Sequence, residues 1–273
     1  MDSSASSSKA VSSLPVSCFI IARDEADRIG RTIDSVSDWV SEVVVVISNP
    51  ADPTVEESRR HGAHVVFRDW DGYGPQKRFG EENCRENWLL NLDADEVVTP
   101  DLADEIRALF ATGAPAKPGY YIRLPTVYPG RDRPRPFAHS YNCVRLYDKR
   151  KMRYCDSLVH DRVDAGAHRL GQCKAKALHF SYRSIEHLSS KLDAYFSLQA
   201  KELRKPLGLT LVRLPFEYPL LFLRDLFIRR HIFGGLLGAR IAHVIAWQRT
   251  RRLWKLIVAR LSSSGADRSR RPS

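Results

Sequence analysis

The chain has 273 residues, 43% of them hydrophobic, with five cysteines and a formal net charge of +11. That length and apolar fraction are enough for a sizeable core and exclude a disordered or fibrous chain. Cys18, Cys84, Cys143, Cys155 and Cys173 show no C-x-x-C spacing, which argues against a disulfide framework or a cysteine zinc site and is expected of reduced thiols in a cytoplasmic protein.

In chain order, residues 1–14 are polar and Ser-rich with no apolar core; they read as a disordered lead-in, neither signal peptide nor anchor. VSCFIIA (16–22) is a predicted strand, ADRIGRTIDSVSDWV (26–40) a helix with Ile29, Ile33, Val36 and Val40 at helical spacing, and EVVVVI (42–47) a second strand. After the turn SNPADP come a helix at 54–62 closed by Gly62, a strand at 63–69, a helix at 75–86 and a strand at 88–96. Strands alternating with helices predict an α/β domain with a mostly parallel sheet flanked by helices, and a crevice at the strands' carboxyl ends.

The charge is unevenly placed. From Lys201 onward 16 Lys and Arg face 4 Asp and Glu, a balance of +12, which leaves −1 for residues 1–200. The expected organisation is a neutral α/β domain at 15–200, a helical basic region at 201–261 and a disordered basic tail at 262–273.

WLLNLDADE carries an apolar strand to its end and stops on Asp93, Asp95 and Glu96. Such carboxylates must face water, basic side chains or a cation, because burying one unpaired is expensive. No G-x-G-x-x-G follows the first strand and no G-x-x-x-x-G-K-[ST] occurs, so neither a dinucleotide fold of that type nor a P-loop is supported. An EF-hand is excluded because Val97 and Val98 stand where Asp or Asn and Gly are needed. Two carboxylates one residue apart at a strand end suit Mg²⁺ or Mn²⁺, which complete their shells with phosphate oxygens and water. Alone, a D-x-D is also compatible with a solvated strand end or a helix cap.

IIARDE (20–25), VVVISNPADPTVEE (44–57), RDWDGYGPQKRF (68–79) and WLLNLDADE (88–96) together resemble the inverting family 2 glycosyltransferases of GT-A fold, in particular the branch that builds lipopolysaccharide core and related surface glycans. The resemblance covers roughly residues 15–190. It implies a nucleotide-sugar donor, a Mn²⁺ or Mg²⁺ cofactor, and a lipid-linked or lipopolysaccharide-type acceptor. It also implies that Asp95 is the main metal ligand, that Asp93 lies near ribose and metal, and that Arg23, Asp24, Glu25, Gln76 and Lys77 line the nucleotide and diphosphate pocket. Where that branch usually carries a base-contacting Asp, this chain has Ile47 and keeps only the later Asp52, so Asp52, Ser48 or Asn49 is expected to bind the donor base, or the backbone alone reads it.

Inverting transfer needs a base for the acceptor hydroxyl. YCDSLVHDRV (154–163) resembles the family's Val-His-Glu or Val-His-Asp segment, which makes Asp161 the candidate base, His160 a metal or phosphate contact and Asp156 the fallback. Asp161 also suits an ion pair with Arg162, and His179 reads equally as a core histidine or a ligand. PGRDRPRPFAHSYN (129–142) reads as a basic loop over the site. In 213–261 Leu, Ile, Phe and Trp interleave with Arg, and Arg240 interrupts the longest weakly charged run. Amphipathic helices on an anionic membrane surface, with Trp247 and Trp254 at the headgroups, fit this better than a span, so a peripheral place on the inner face of the cell membrane is expected. Two other readings are an inactive GT-A scaffold that binds glycolipid and a nucleic-acid-binding protein; the second is disfavoured because no nucleic-acid module is visible.

Overall fold

The computed structural model describes residues 13–155, 162–202 and 207–268, with side chains left out of the description at 194–211 and 259–268. The described residues form two units: those up to Pro125 together with Ser140–His179, and Thr126–His139 together with those from Phe180 onward.

The first unit runs β1 (Leu14–Ala22), α1 (Ile29–Asp34), β2 (Val40–Ile47), α2 (Thr54–Arg60), β3 (His64–Phe67), α3 (Tyr73–Asn83), β4 (Trp88–Asp93), β5 (Glu96–Val98), α4 (Pro100–Phe110), β6 (Gly119–Pro125), β7 (Ser140–Asp148), β8 (Arg153–Tyr154), β9 (Val163–Asp164) and β10 (Gly171–His179). Eight of these strands make one sheet in the order β3-β2-β1-β4-β7-β6-β10-β5, and β8 pairs with β9. β3, β2, β1 and β4 are mutually parallel, β7 runs against β4 and β6, and β10 is parallel to β6. The sheet is thus mostly parallel on the side that precedes β7, as the sequence predicts.

Burial explains why these strands read as apolar runs rather than alternating ones. Val16, Cys18, Phe19 and Ile20 in β1 and Val44–Ile47 in β2 are all fully enclosed, as expected where helices cover both faces of a parallel sheet. Each such side chain contributes about 1.5–3 kcal/mol relative to exposure. α3 lies so close to β1 that a Cβ at Gly80 would sit 2.6 Å from the Phe19 ring. α4 starts where Thr99 caps it, its Oγ1 accepting from the Leu102 amide at 3.3 Å, with Pro100 in the first turn.

Two elements differ from expectation. The helix anticipated at 26–40 is helical only over Ile29–Asp34. Beyond it, the Trp39 indole takes the Ser35 carbonyl at 3.1 Å and Val40 already pairs with Leu14. Val36 and Trp39 are buried all the same, which is why the apolar spacing looked helical. The strand anticipated at 88–96 ends at Asp93; Ala94 and Asp95 turn, the Ala94 carbonyl accepting from Thr32 Oγ1, and Glu96 opens β5 against β10.

The second unit contains α5 (Ile185–Glu202), α6 (Leu207–Leu223), a π-helical turn (Arg224–Ile228), a 3₁₀ turn (His231–Gly234) and α7 (Gly235–Arg268). The basic C-terminal region is therefore helical, as expected. Leu188 of α5 and Ile241 of α7 enclose Tyr128, and Lys255 Nζ reaches Asp193 at 2.9 Å. The segment expected as a basic loop over the site belongs largely to this unit: Arg135 donates to Tyr128 Oη at 2.8 Å and to the Arg229 carbonyl at 2.8 Å. No described helix is long and apolar enough to cross a membrane.

Candidate active site at the carboxyl ends of the parallel strands

β1 is flanked by β2 on one side and β4 on the other, so the connections leave it in opposite directions and open a crevice beyond their carboxyl ends. Asp93 ends β4 directly beside Ile21 of β1. Arg23, Asp24 and Glu25 follow β1. Arg23 and Asp24 project into solvent, with Arg23 Nε 3.5 Å from the Asp24 carboxylate. Asp24 adopts a left-handed backbone (φ 56°), and its amide donates to Asp52 Oδ2 at 2.8 Å. Asp is among the few residues other than Gly that accept this conformation readily. The Glu25 amide donates to Thr54 Oγ1 at 2.9 Å, and its carboxylate takes the Arg28 guanidinium.

Asp52 is 5% exposed, and both oxygens are engaged, Oδ1 by the amide and hydroxyl of Thr54 and Oδ2 by Asp24. Burial alone would raise its pKa; the hydrogen bonds from Asp24 and Thr54 hold it below the usual range. Ile47 is wholly inside the core. Gln76 and Lys77, on α3, are also enclosed. Gln76 Nε2 donates to the Arg68 carbonyl at 3.2 Å, while Oε1 is buried with no hydrogen-bond partner among the described residues. Lys77 Nζ donates to Asn91 Oδ1 at 3.0 Å and Asp93 Oδ1 at 2.9 Å.

Two charge clusters result. In the first, Asp93 lies between Lys77 and Arg145, whose Nη2 is 2.7 Å from Asp93 Oδ2 and also donates to Glu96. Arg145 Nη1 and Tyr154 Oη both donate to Asn91 Oδ1, at 2.8 and 2.5 Å. Burial opposes ionisation of Asp93, but the two cations hold its carboxyl far below the usual range. Glu96 moves the other way: burial raises it, and the charges of Asp93 and Asp95 add to that against the pull of Arg145. In the second cluster, Asp95 has Arg28 Nη1 3.5 Å from Oδ2 and His179 Nε2 3.5 Å from Oδ1. Burial disfavours charge on both Asp95 and His179, yet their mutual attraction wins, lowering the carboxyl and raising the imidazole.

Sequence reasoning missed Arg145 and left His179 open. The available signal for Arg145 was an arginine inside the apolar strand YNCVRLYD; it is 5% exposed. A cavity of about 580 Å³ opens here, lined by Asp93, Glu96, Tyr141, Arg145, Tyr154 and His179 among others. Asp156, His160 and Asp161 lie outside the described residues; Arg162, the next residue in the chain, lines this cavity.

Residues 17–167 match the profile of the family described as Glycosyl transferase family 2. The chain belongs to that family. It is 36% identical to an uncharacterised glycosyltransferase of Rickettsia bellii over 93% of this chain and 90% of that one, and 37% identical to one of Rickettsia felis over 91% of each. At 27% identity, over 77% of this chain and 80% of the relative, it is similar to the lipopolysaccharide core biosynthesis glycosyltransferase LpsC of Rhizobium meliloti. Among solved structures, S. aureus TarS 1–349 aligns with a TM-score of 0.46 at 14% identity over 89% of this chain and 91% of that one.

The donor set can be tested against the divalent cation that the resemblance implies. Among the described residues no group of three or more His, Cys, Asp or Glu is placed to hold a metal. Asp95 with His179 is a pair, and a hard cation that takes its remaining ligands from phosphate oxygens and water needs no larger protein set. The residues fit such an ion.

Proposed function

We propose that this family 2 glycosyltransferase moves a sugar with inversion from a nucleoside-diphosphate sugar to a lipid-linked or lipopolysaccharide-type acceptor, at the inner face of the cell membrane. The observation that carries the reading is the Asp95–His179 pair, whose His179 lines the 580 Å³ cavity together with Asp93. Asp95 and His179 would hold Mn²⁺ or Mg²⁺, which when bound supplies positive charge to the departing diphosphate. His179 must be neutral to serve, so it gives up its proton.

Lys77 and Arg145 hold Asp93 ionised and in place, from inside the core. Arg23, Asp24 and Glu25 border the nucleotide, on a loop that Asp52 and Thr54 fix through the amides of Asp24 and Glu25. With Ile47 buried and both oxygens of Asp52 engaged, neither offers the base a free carboxylate. Gln76 supports this end from α3. Asp161 takes the acceptor's proton, with His160 beside it. Likeness to LpsC supports the lipopolysaccharide class of acceptor, and the basic, apolar C-terminal helices support work at an anionic membrane surface.

The test is a panel of nucleotide sugars with Mn²⁺ or Mg²⁺, read by donor hydrolysis and thermal stabilisation. At least one donor should be hydrolysed. Binding of a nucleotide sugar without turnover, with or without glycolipid acceptors, would favour an inactive glycolipid-binding scaffold.

A further inference from the structure

The stretch RDWDGYGPQKRF supplies Gln76 and Lys77 to the site, but its Trp70 and Tyr73 have no place in the core. Trp70 is 46% exposed and Tyr73 48%, and their rings meet edge to face at 5.0 Å between centres. Phe67, which ends β3 just before them, is 41% exposed. The loop that carries the pair is fixed at several points. The Arg68 amide donates to the Ile47 carbonyl at 3.2 Å, at the end of the β2–β3 pairing, and the Arg68 carbonyl accepts from Gln76 Nε2 at 3.2 Å. Arg68 and Asp71 pair at 2.6 Å, and the Arg68 guanidinium lies over the Phe79 ring at 5.4 Å. Gly72 turns the chain into α3 at φ 123°, a backbone that residues with a side chain rarely adopt. A loop held this way presents its two rings in one arrangement.

The strand register places this loop relative to Asp93. Asp93 pairs with Ile21 of β1, Ala22 with Ile47 of β2, and Ile47 with Phe67 of β3. Phe67 therefore stands three strands from Asp93 and one step further toward the carboxyl ends. With neighbouring strands about 4.8 Å apart, the separation is roughly 14 Å, which diphosphate, ribose and base cover when laid end to end. Of the contacts expected for the base, both oxygens of Asp52 are engaged by Asp24 and Thr54, and Asn49 Oδ1 accepts the Ala51 amide at 3.0 Å. What this end of the crevice presents instead is an aromatic face, and every nucleobase has a π-face to match it.

We infer that Trp70, with Tyr73 packed edge to face against it, holds the donor's nucleobase by stacking, so that the base is recognised by its flat face more than by its hydrogen-bonding edge. This rests on the nucleotide-sugar reading above and deepens it by naming how that donor's base is held.

The test is titration of the full chain with UDP, CDP, ADP and GDP in the presence of Mn²⁺, by calorimetry and tryptophan fluorescence, beside inorganic pyrophosphate as a ligand without a base. Wild type should bind all four nucleotides within about a hundredfold of one another, with quenching of tryptophan emission. Trp70→Ala should weaken each nucleotide by about 5- to 150-fold and leave pyrophosphate affinity at the wild-type value. Trp70→Phe should recover most of that affinity while losing the quenching. Because Trp70 lies outside the core, both variants should keep the wild-type unfolding transition. Unchanged nucleotide affinity in Trp70→Ala overturns the inference and leaves the nucleotide-sugar reading standing. An equal loss of nucleotide and pyrophosphate affinity also overturns it, since the loop then shapes the phosphate pocket. Discrimination among bases above about a hundredfold that survives Trp70→Ala would assign base reading to hydrogen bonds and overturn it as well. Failure of wild type to bind any of the four nucleotides overturns both readings.

Discussion

Arg145→Met keeps much of the side-chain volume and removes the cation that joins β7 to the end of β4. The native guanidinium is 5% exposed and donates to Asn91, Asp93 and Glu96. Without it Asp93 retains Lys77, but Glu96 loses its cation and faces Asp93 and Asp95 with, among the described residues, the Asp93 amide as its remaining donor. Removing one partner of a buried ion pair costs about 3–5 kcal/mol, because the other charge remains enclosed. At roughly 2–4 °C per kcal/mol for a chain of this size, the Tm should fall by about 6–20 °C. Arg145→Lys keeps the charge but not the fork that spans three acceptors, so it should fall between. Thermal unfolding followed by circular dichroism at pH 7.5 measures both. A loss below about 1 kcal/mol for Arg145→Met, or a lysine variant indistinguishable from wild type, would refute the claim that this guanidinium holds the site's carboxylates in place.

Other perturbations have equally definite outcomes. Burial and the nearby charge of Arg135 push His231 down to about 4, and its Nδ1 shares a hydrogen bond with Tyr128 Oη at 2.5 Å. The unfolded chain therefore takes up that proton first: the stabilisation is complete above about pH 6.5 and is lost as pH falls toward 4, by about 1–2 kcal/mol after allowance for the part of the ring open to water. His231→Phe should flatten the denaturation profile across that window, and an unchanged slope would contradict it. Gly80→Ala drives a methyl to within 2.6 Å of the Phe19 ring and should destabilise by about 1–3 kcal/mol in urea titration, although alanine favours helix elsewhere. Asp161→Ala should lower transfer by about 10²- to 10⁴-fold while nucleotide affinity stays near wild type in calorimetry; joint loss of affinity would make it a ligand instead of a base.

The legible parts of this chain were those encoded locally. VSCFIIA, EVVVVI and WLLN read as strands because neighbours along the chain share one buried environment, and the basic helices read as helices through their spacing. Misreadings occurred where a distant partner decides. Val36 and Val40 sit at helical spacing, but Val36 is buried from a turn and Val40 is claimed by Leu14. Glu96 looks like a third carboxylate facing the ligand, yet Arg145, 49 residues away, draws it inside. Lys77, expected to line the diphosphate pocket, is fully enclosed because Asp93 and Asn91 take its ammonium. His179 joins Asp95 only because β10 pairs with β5 just beyond the Asp95 turn, a register fixed by the whole sheet order. The D-x-D motif placed the centre of the site; the groups that tune its charge had no local signature.

Asp95 and His179 are proposed to serve a cation-dependent transfer of sugar from a nucleotide donor. The most direct measurement is donor consumption by the purified chain with and without Mn²⁺, for wild type, Asp95→Asn and His179→Ala, each verified as folded by its unfolding transition. Wild type should consume a donor only when the cation is present, and both variants should retain about a hundredth of that rate or less. Undiminished turnover by Asp95→Asn, or wild-type turnover unaffected by chelation, would contradict the account.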